Sequence, residues 1–140
     1  MIRISQSEDF EQVFQLFHQL WPGKELNHSK LREIFDNSLT TKSNILLSAV
    51  EQEIVGFGSM VILNNFWQEA RIGYLTTLIV DNKYRGKGLG KKLINTFCEI
   101  AKNNGCTKLE LDSGFHRAQA HEFYERNGFE RRAYLFSKNL

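Results

Sequence analysis

Leu78-Ile79-Val80-Asp81-Asn82-Lys83-Tyr84-Arg85-Gly86-Lys87-Gly88-Leu89-Gly90-Lys91-Lys92 is the stretch on which the reading of this chain turns. An apolar run reaches its end at Val80, a polar turn follows, and a helix begins near Leu89. Gly86, Gly88 and Gly90 alternate through the turn, and a backbone without Cβ atoms lets a ligand come into contact with the main chain. The first amides of a helix have no partner inside it, and the helix dipole adds partial positive charge there. Such an end binds anions. Arg85, Lys87, Lys91 and Lys92 strengthen the positive field.

Downstream, Leu89, Leu93, Ile94, Phe97, Ile100 and Ala101 form a helical stripe that stops at Asn104-Gly105. Thr107–Leu111 is strand-like, and a helix from about Arg117 to Arg126 ends at Asn127-Gly128. Phe129–Arg132 and Tyr134–Ser137 are expected as two final strands. Upstream, Ile2–Ile4 reads as a first strand. Phe10, Val13, Phe14, Phe17, Leu20 and Trp21 give a helix with Ser7 as its expected cap, and a shorter helix runs from about Ser29 to Asn37. Asn44–Val50, Ile54–Leu63 and Arg71–Val80 are three strands close enough for antiparallel pairing. The order is β-α-α-β-β-β-α-β-α-β-β. The strand-helix-strand unit over 72–111 needs a right-handed crossover and hence one parallel pair. The expected fold is therefore α/β, of the α+β type, with a mixed, mostly antiparallel sheet flanked by helices on both faces.

A length of 140 residues suits one domain, and residues 1–140 are expected to form it. Seventeen aromatic residues argue against disorder: eleven Phe, four Tyr and two Trp. The net charge of +2 excludes bulk nucleic-acid binding as an expectation, so any electrostatic signal must be local. Cys98 and Cys106 are too few for a disulfide framework and fit a reduced, cytoplasmic pair of buried thiols. The N-terminus has no apolar run of signal-peptide length, and no stretch reaches membrane-spanning length. His18, His28, His116 and His121 lack metal-ligand spacing, so no metal is expected.

Neither common phosphate-loop pattern fits the glycine turn. The Walker spacing fails because Lys92 stands six residues after Gly86, and no Gly-Lys-[Ser/Thr] follows. The dinucleotide spacing fails because Lys91 occupies the third glycine position. What stands here is Arg85-Gly86-Lys87-Gly88-Leu89-Gly90, followed later by Ala120-His121-Glu122-Phe123-Tyr124-Glu125-Arg126-Asn127-Gly128-Phe129. With these two segments, in this order and on these elements, the chain resembles the GCN5-related N-acetyltransferase superfamily over essentially its whole length. Its acyl-CoA signature is [Arg/Gln]-x-x-Gly-x-[Gly/Ala].

That resemblance implies a GNAT-like fold whose parallel pair splays apart. It implies an acetyl-CoA-dependent N-acetyltransferase that moves an acetyl group to a primary amine by direct attack in a ternary complex. Main-chain amides across Arg85, Gly86, Lys87, Gly88, Leu89, Gly90 and Lys91 would hold the diphosphate. Leu78, Ile79 and Val80 would border the acyl-pantetheine arm and offer an oxyanion donor, and Tyr124 would act as general acid. Arg117 stands where many relatives carry Asn, and it would contact the cofactor or an anionic substrate. No carboxylate lies between Arg71 and Val80, where relatives often place a Glu, so no side-chain base is assigned.

The acceptor would meet Trp21, Trp67 and Glu69, an aromatic and acidic wall suited to an amine. The plainer reading of both tryptophans is as core residues. The segment 117–124 with the ending 134–140 is also similar to small-amine members such as aminoalkylphosphonate acetyltransferases, and an anionic amine would then use Arg117 or Arg71. A protein or peptide N-acetyltransferase and a non-catalytic acyl-CoA-binding regulatory module are the competing functions. A homodimer is implied by family habit; no nucleic-acid or membrane partner is expected.

Overall fold

The computed structural model describes all 140 residues and divides into two compact units, Met1–Glu110 and Leu111–Leu140. In chain order the elements are β1 (Ile2–Ile4), α1 (Phe10–Leu20), α2 (His28–Thr40), β2 (Asn44–Val50), β3 (Ile54–Asn65), β4 (Ala70–Val80), α3 (Leu89–Asn103), β5 (Cys106–Leu111) and α4 (Ala118–Arg126). No helix is long and apolar enough to cross a membrane.

The sheet runs β1-β2-β3-β4-β5. β1 to β4 pair antiparallel, and β5 lies parallel to β4 after the α3 crossover. Consecutive side chains of a strand point to opposite faces, and β3 uses both. Phe57 joins the cluster of Phe10, Val13, Phe17 and Phe35 beneath α1 and α2. The adjacent Gly58 meets α3 instead: a Cβ built there would lie 2.6 Å from the Phe97 ring. Helices therefore cover both faces, and Gly58 sets how closely α3 approaches the sheet.

Ser7 does not cap α1. A 3₁₀ turn at Ser7–Asp9 precedes the helix, with Gln6 as its N-cap, and the Asp9 carboxylate turns back to accept the Gln6 N–H at 2.8 Å in a capping box. The Ser7 hydroxyl instead binds the α2 side chains Arg32 and Asp36 at 2.6 and 3.1 Å. Asp9 is buried yet accepts two hydrogen bonds from Arg3 at 2.8 and 2.9 Å and one from the Ser48 hydroxyl at 3.0 Å. Burial alone would raise its carboxyl pKa. Arg3, the Gln6 N–H and Ser48 together outweigh that and hold it below its ordinary value.

The two strands expected at Phe129–Arg132 and Tyr134–Ser137 are not formed; no strand follows α4. The Phe129 N–H turns back to the Tyr124 carbonyl at 3.1 Å, and Arg131 pairs with Glu125 at 2.9 Å. The chain leaving α4 is thus held to its own helix end rather than in a ladder, and the charged run Glu130-Arg131-Arg132 gives the segment no apolar face to bury.

Candidate functional site

β4 carries the backbone features on which the site is built. The Asp81 N–H donates to the Val55 carbonyl at 2.8 Å, so at that end of the strand the odd-numbered residues turn their main-chain groups toward β3. Main-chain polar groups alternate between a strand's two edges, which directs the N–H groups of Leu78 and Val80 to the opposite edge. Arg85 confirms that direction, because its Nε donates to the Val80 carbonyl at 3.0 Å. Further back, Leu109 of β5 packs 3.1 Å from the position a Cβ would take on Gly73.

Within β4, Ser59 of β3 faces Thr77 while the next residue, Met60, faces Leu75. Thr76 is the extra residue of a β-bulge. Bulges locally re-aim side chains and interrupt pairing. The Thr76 hydroxyl lies 2.6 Å from the Ser59 hydroxyl, at an exposed position.

The turn after β4 is anchored from two sides. The Asp81 carboxylate accepts the Lys83 N–H at 2.9 Å, and Gln19 of α1 accepts the Asn82 N–H at 2.9 Å. Gly86 and Gly88 have φ of 77° and 81°, in the left-handed region, and a Cβ at either would meet no atom within 4 Å. Glycine is thus required here for backbone conformation and leaves open space above the turn. Gly88 is the N-cap of α3 and no side chain caps the helix. The first helical hydrogen bond at this end runs from the Lys92 N–H to the Gly88 carbonyl at 3.0 Å, so the amides of Leu89, Gly90 and Lys91 have no helical acceptor. The Lys87 ammonium lies over the Tyr84 ring at 5.1 Å. Open backbone, unmatched donors and surrounding cations fit a diphosphate.

In the second unit, Arg117 is the N-cap of α4 and Tyr124 sits two turns further on. Burial pushes the Tyr124 phenol above its ordinary pKa; the Arg117 charge opposes this and the Asp112 charge adds to it. The phenol is therefore a protonated donor at neutral pH. Its ring packs edge-on against Phe129 with centroids 5.7 Å apart. The His121 ring Nε2 donates to the Gly114 carbonyl at 2.9 Å, which occupies His121 structurally.

The expected acceptor wall is not one wall. Trp21 is half-buried against Phe17, which stacks edge-on against Phe57, the cross-strand partner of Ile79. Trp67 and Glu69 lie in the β3–β4 hairpin, beyond Asn65 and before Ala70. The nine residue steps from Ala70 to Ile79 span roughly 30 Å of strand, so Trp21 stands near the other end of β4 from Trp67 and Glu69. Glu69 has φ 54°, the one non-glycine residue with positive φ. Burial raises the pKa of both the Cys98 and Cys106 thiols, which keeps them un-ionised.

Sequence reasoning missed the bulge at Thr76 and its partnership with Ser59. The signal available was slight: two hydroxyl residues, Thr76 and Thr77, between Leu75 and Leu78.

The Acetyltransferase (GNAT) family model matches residues 10–129. A glucosamine 6-phosphate N-acetyltransferase from Trypanosoma brucei brucei is 32% identical over 133 residues, covering 91% of this chain and 87% of that protein. An aminoalkylphosphonate N-acetyltransferase from Salmonella typhimurium is 29% identical over 140 residues, covering 99% and 90%. Among solved structures, an acetyltransferase from Trypanosoma brucei superposes with a TM-score of 0.80 at 29% identity, covering 100% of this chain and 99% of that one.

Proposed function

Because the chain belongs to the GNAT acetyltransferase family, whose members use acetyl-CoA, we propose that it transfers the acetyl group of acetyl-CoA to the primary amine of a small molecule carrying a phosphoryl or phosphonyl group. The observation that carries the cofactor half is the turn at Arg85–Lys91. Two left-handed glycines leave it open, and three amides of the α3 N-terminus lack helical acceptors. The acceptor half is supported by the two relatives, whose names both state an amino compound bearing such a group.

The Leu78 N–H is the oxyanion donor in this reading, being a fixed dipole on the outward edge of β4 that needs no reorganisation when charge develops. Tyr124, protonated, supplies a proton to the departing thiolate. Arg117 or Arg71 is the cation assigned to the anionic end of the acceptor. With no carboxylate on β4, the amine loses its proton to water.

The test is thiol release from acetyl-CoA with glucosamine 6-phosphate, an aminoalkylphosphonate, their counterparts lacking the anionic group, and a lysine peptide. Release with the first two and much less with the counterparts is expected. Preferential turnover of the peptide, or none of any amine, overturns the reading.

A further inference from the structure

We propose that the Ser59–Thr76 hydroxyl pair at the bulge of β4 is the seat of the acceptor's amino group, accepting one of its N–H bonds and so aiming the nitrogen lone pair at the acyl carbon. This rests on the acetyl-transfer reading above and adds to it the residues that hold the nucleophile.

The bulge is the one register shift in the β3–β4 ladder, and it falls two residues before Leu78. Thr76 is exposed, and its hydroxyl lies 2.6 Å from the Ser59 hydroxyl and donates toward the Ser59 carbonyl at 3.3 Å. Two hydroxyls carry two protons and four lone pairs. Their mutual hydrogen bond uses one of each, so lone pairs remain for an incoming N–H. A Ser-Thr pair across two strands contributes only some tenths of a kcal/mol to sheet stability wherever it stands; its position at a bulge on the cofactor strand is what sets this one apart.

The spacing also fits. Two residues of strand cover about 7 Å. An oxyanion sits about 3 Å from its donor, and an attacking nitrogen about 3 Å from the carbonyl carbon. A chain of contacts from the Leu78 N–H through the acyl group to an amine on the Thr76 hydroxyl is about 10 Å long, enough to cover those roughly 7 Å together with the width of β4, since the Leu78 N–H faces the outer edge and the Thr76 hydroxyl reaches toward Ser59 of β3.

The chemistry suits hydroxyls in place of a carboxylate. The nitrogen lone pair forms the N–C bond and the C–S electron pair leaves with sulfur, which takes its proton from the general acid. The nitrogen sheds its extra proton to water. As the N–C bond forms, nitrogen gains positive charge, and the hydrogen bond from its remaining N–H to a hydroxyl oxygen strengthens. An interaction that strengthens at that point raises kcat rather than only lowering KM. A hydroxyl is far too weak a base to take the proton itself, so the pair orients and does not deprotonate.

The experiment uses the full chain with acetyl-CoA and glucosamine 6-phosphate or an aminoalkylphosphonate. Thr76→Val, which keeps the shape and removes the hydroxyl, is expected to lower kcat roughly 10- to 100-fold, the range for losing one charge-assisted hydrogen bond. Acetyl-CoA affinity should stay within twofold and the thermal midpoint should barely move. Thr76→Ser should restore turnover to within about threefold, and Ser59→Ala combined with Thr76→Val should be little worse than Thr76→Val alone, as expected for groups acting as one unit. If amines are acetylated and Thr76→Val stays within twofold, or Thr76→Ser is as impaired as Thr76→Val, this inference falls alone. If the unaltered chain acetylates no amine, the function reading falls and takes this inference with it.

Discussion

Arg85 Nε and the Val80 carbonyl, 3.0 Å apart, join the first residue of the glycine signature to the last residue of β4. The turn and the strand edge are thereby fixed to each other at the point where a diphosphate and an acyl arm would meet. Replacing Arg85 by Ala is expected to weaken acetyl-CoA binding about tenfold, the order of one charge-assisted hydrogen bond lost. Arg85→Lys should recover little of it, because a flexible ammonium lacks the planar donor set. Calorimetric titration with acetyl-CoA checks both; an unchanged affinity in Arg85→Ala would remove this contact from cofactor binding.

At Gly88 the two consequences of a substitution separate. Gly88→Ala adds a Cβ that meets no neighbour, so its cost in the free protein is the left-handed φ of 81°, about 1 kcal/mol. Gly88→Asp adds the same strain plus a negative charge at the helix end. The expectation is a similar loss of stability for both, but a tenfold or greater further loss of acetyl-CoA affinity for Asp. Thermal unfolding together with calorimetry resolves the two, and equal cofactor affinities would refute the anion assignment.

Tyr124→Phe is expected to lower kcat on the order of 100-fold, the lower range for losing a general acid, while acetyl-CoA affinity stays within twofold. The pH dependence follows from the raised phenol. The group works in its protonated form, so its loss on the alkaline side is centred above the ordinary value near 10. A fall in kcat centred near pH 8 that disappears in Tyr124→Phe would contradict the assignment.

Asp9 gives a stability prediction away from the site. Its folded pKa lies below the unfolded value, so the carboxylate stabilises the fold above about pH 3.9, and that contribution is lost as pH falls through the folded value. Asp9→Asn should cost on the order of 2–3 kcal/mol at neutral pH, given a charged partner at 2.8 Å and further hydrogen bonds. It should also flatten the acid decline. Denaturant unfolding at pH 7 and pH 3.5 measures both, and an unaltered midpoint at pH 7 would count against the account.

The elements that follow periodicity were legible in the sequence. Phe10, Val13 and Phe17 announce α1, and Leu93, Ile94 and Phe97 announce α3, because burial on one face imposes a 3.6-residue period that composition alone displays. The glycine turn was legible for the same kind of reason: a left-handed backbone demands glycine, and glycine is visible. The bulge at Thr76 was not, because it depends on register with β3, and no local residue choice records a cross-strand offset. The last two strands were misjudged where the apolar run Tyr134-Leu135-Phe136 stands. Such a run describes a chain suited to pairing; it supplies no partner. The tryptophan wall failed for a third reason. Their loops were grouped without applying the length already read for β4, Arg71–Val80, which sets Trp21 and the β3–β4 hairpin near opposite ends of the strand.

Gln19 reaches from the last turn of α1 to hold the Asn82 N–H and, at 3.4 Å, the Asp81 carboxylate. The same helix leads directly into the loop of Trp21. A crosslink of this kind makes the glycine turn and the root of the neighbouring loop a single mechanical part. Engineering the loop for a different amine while keeping cofactor affinity therefore means leaving Gln19 in place and starting the redesign after it.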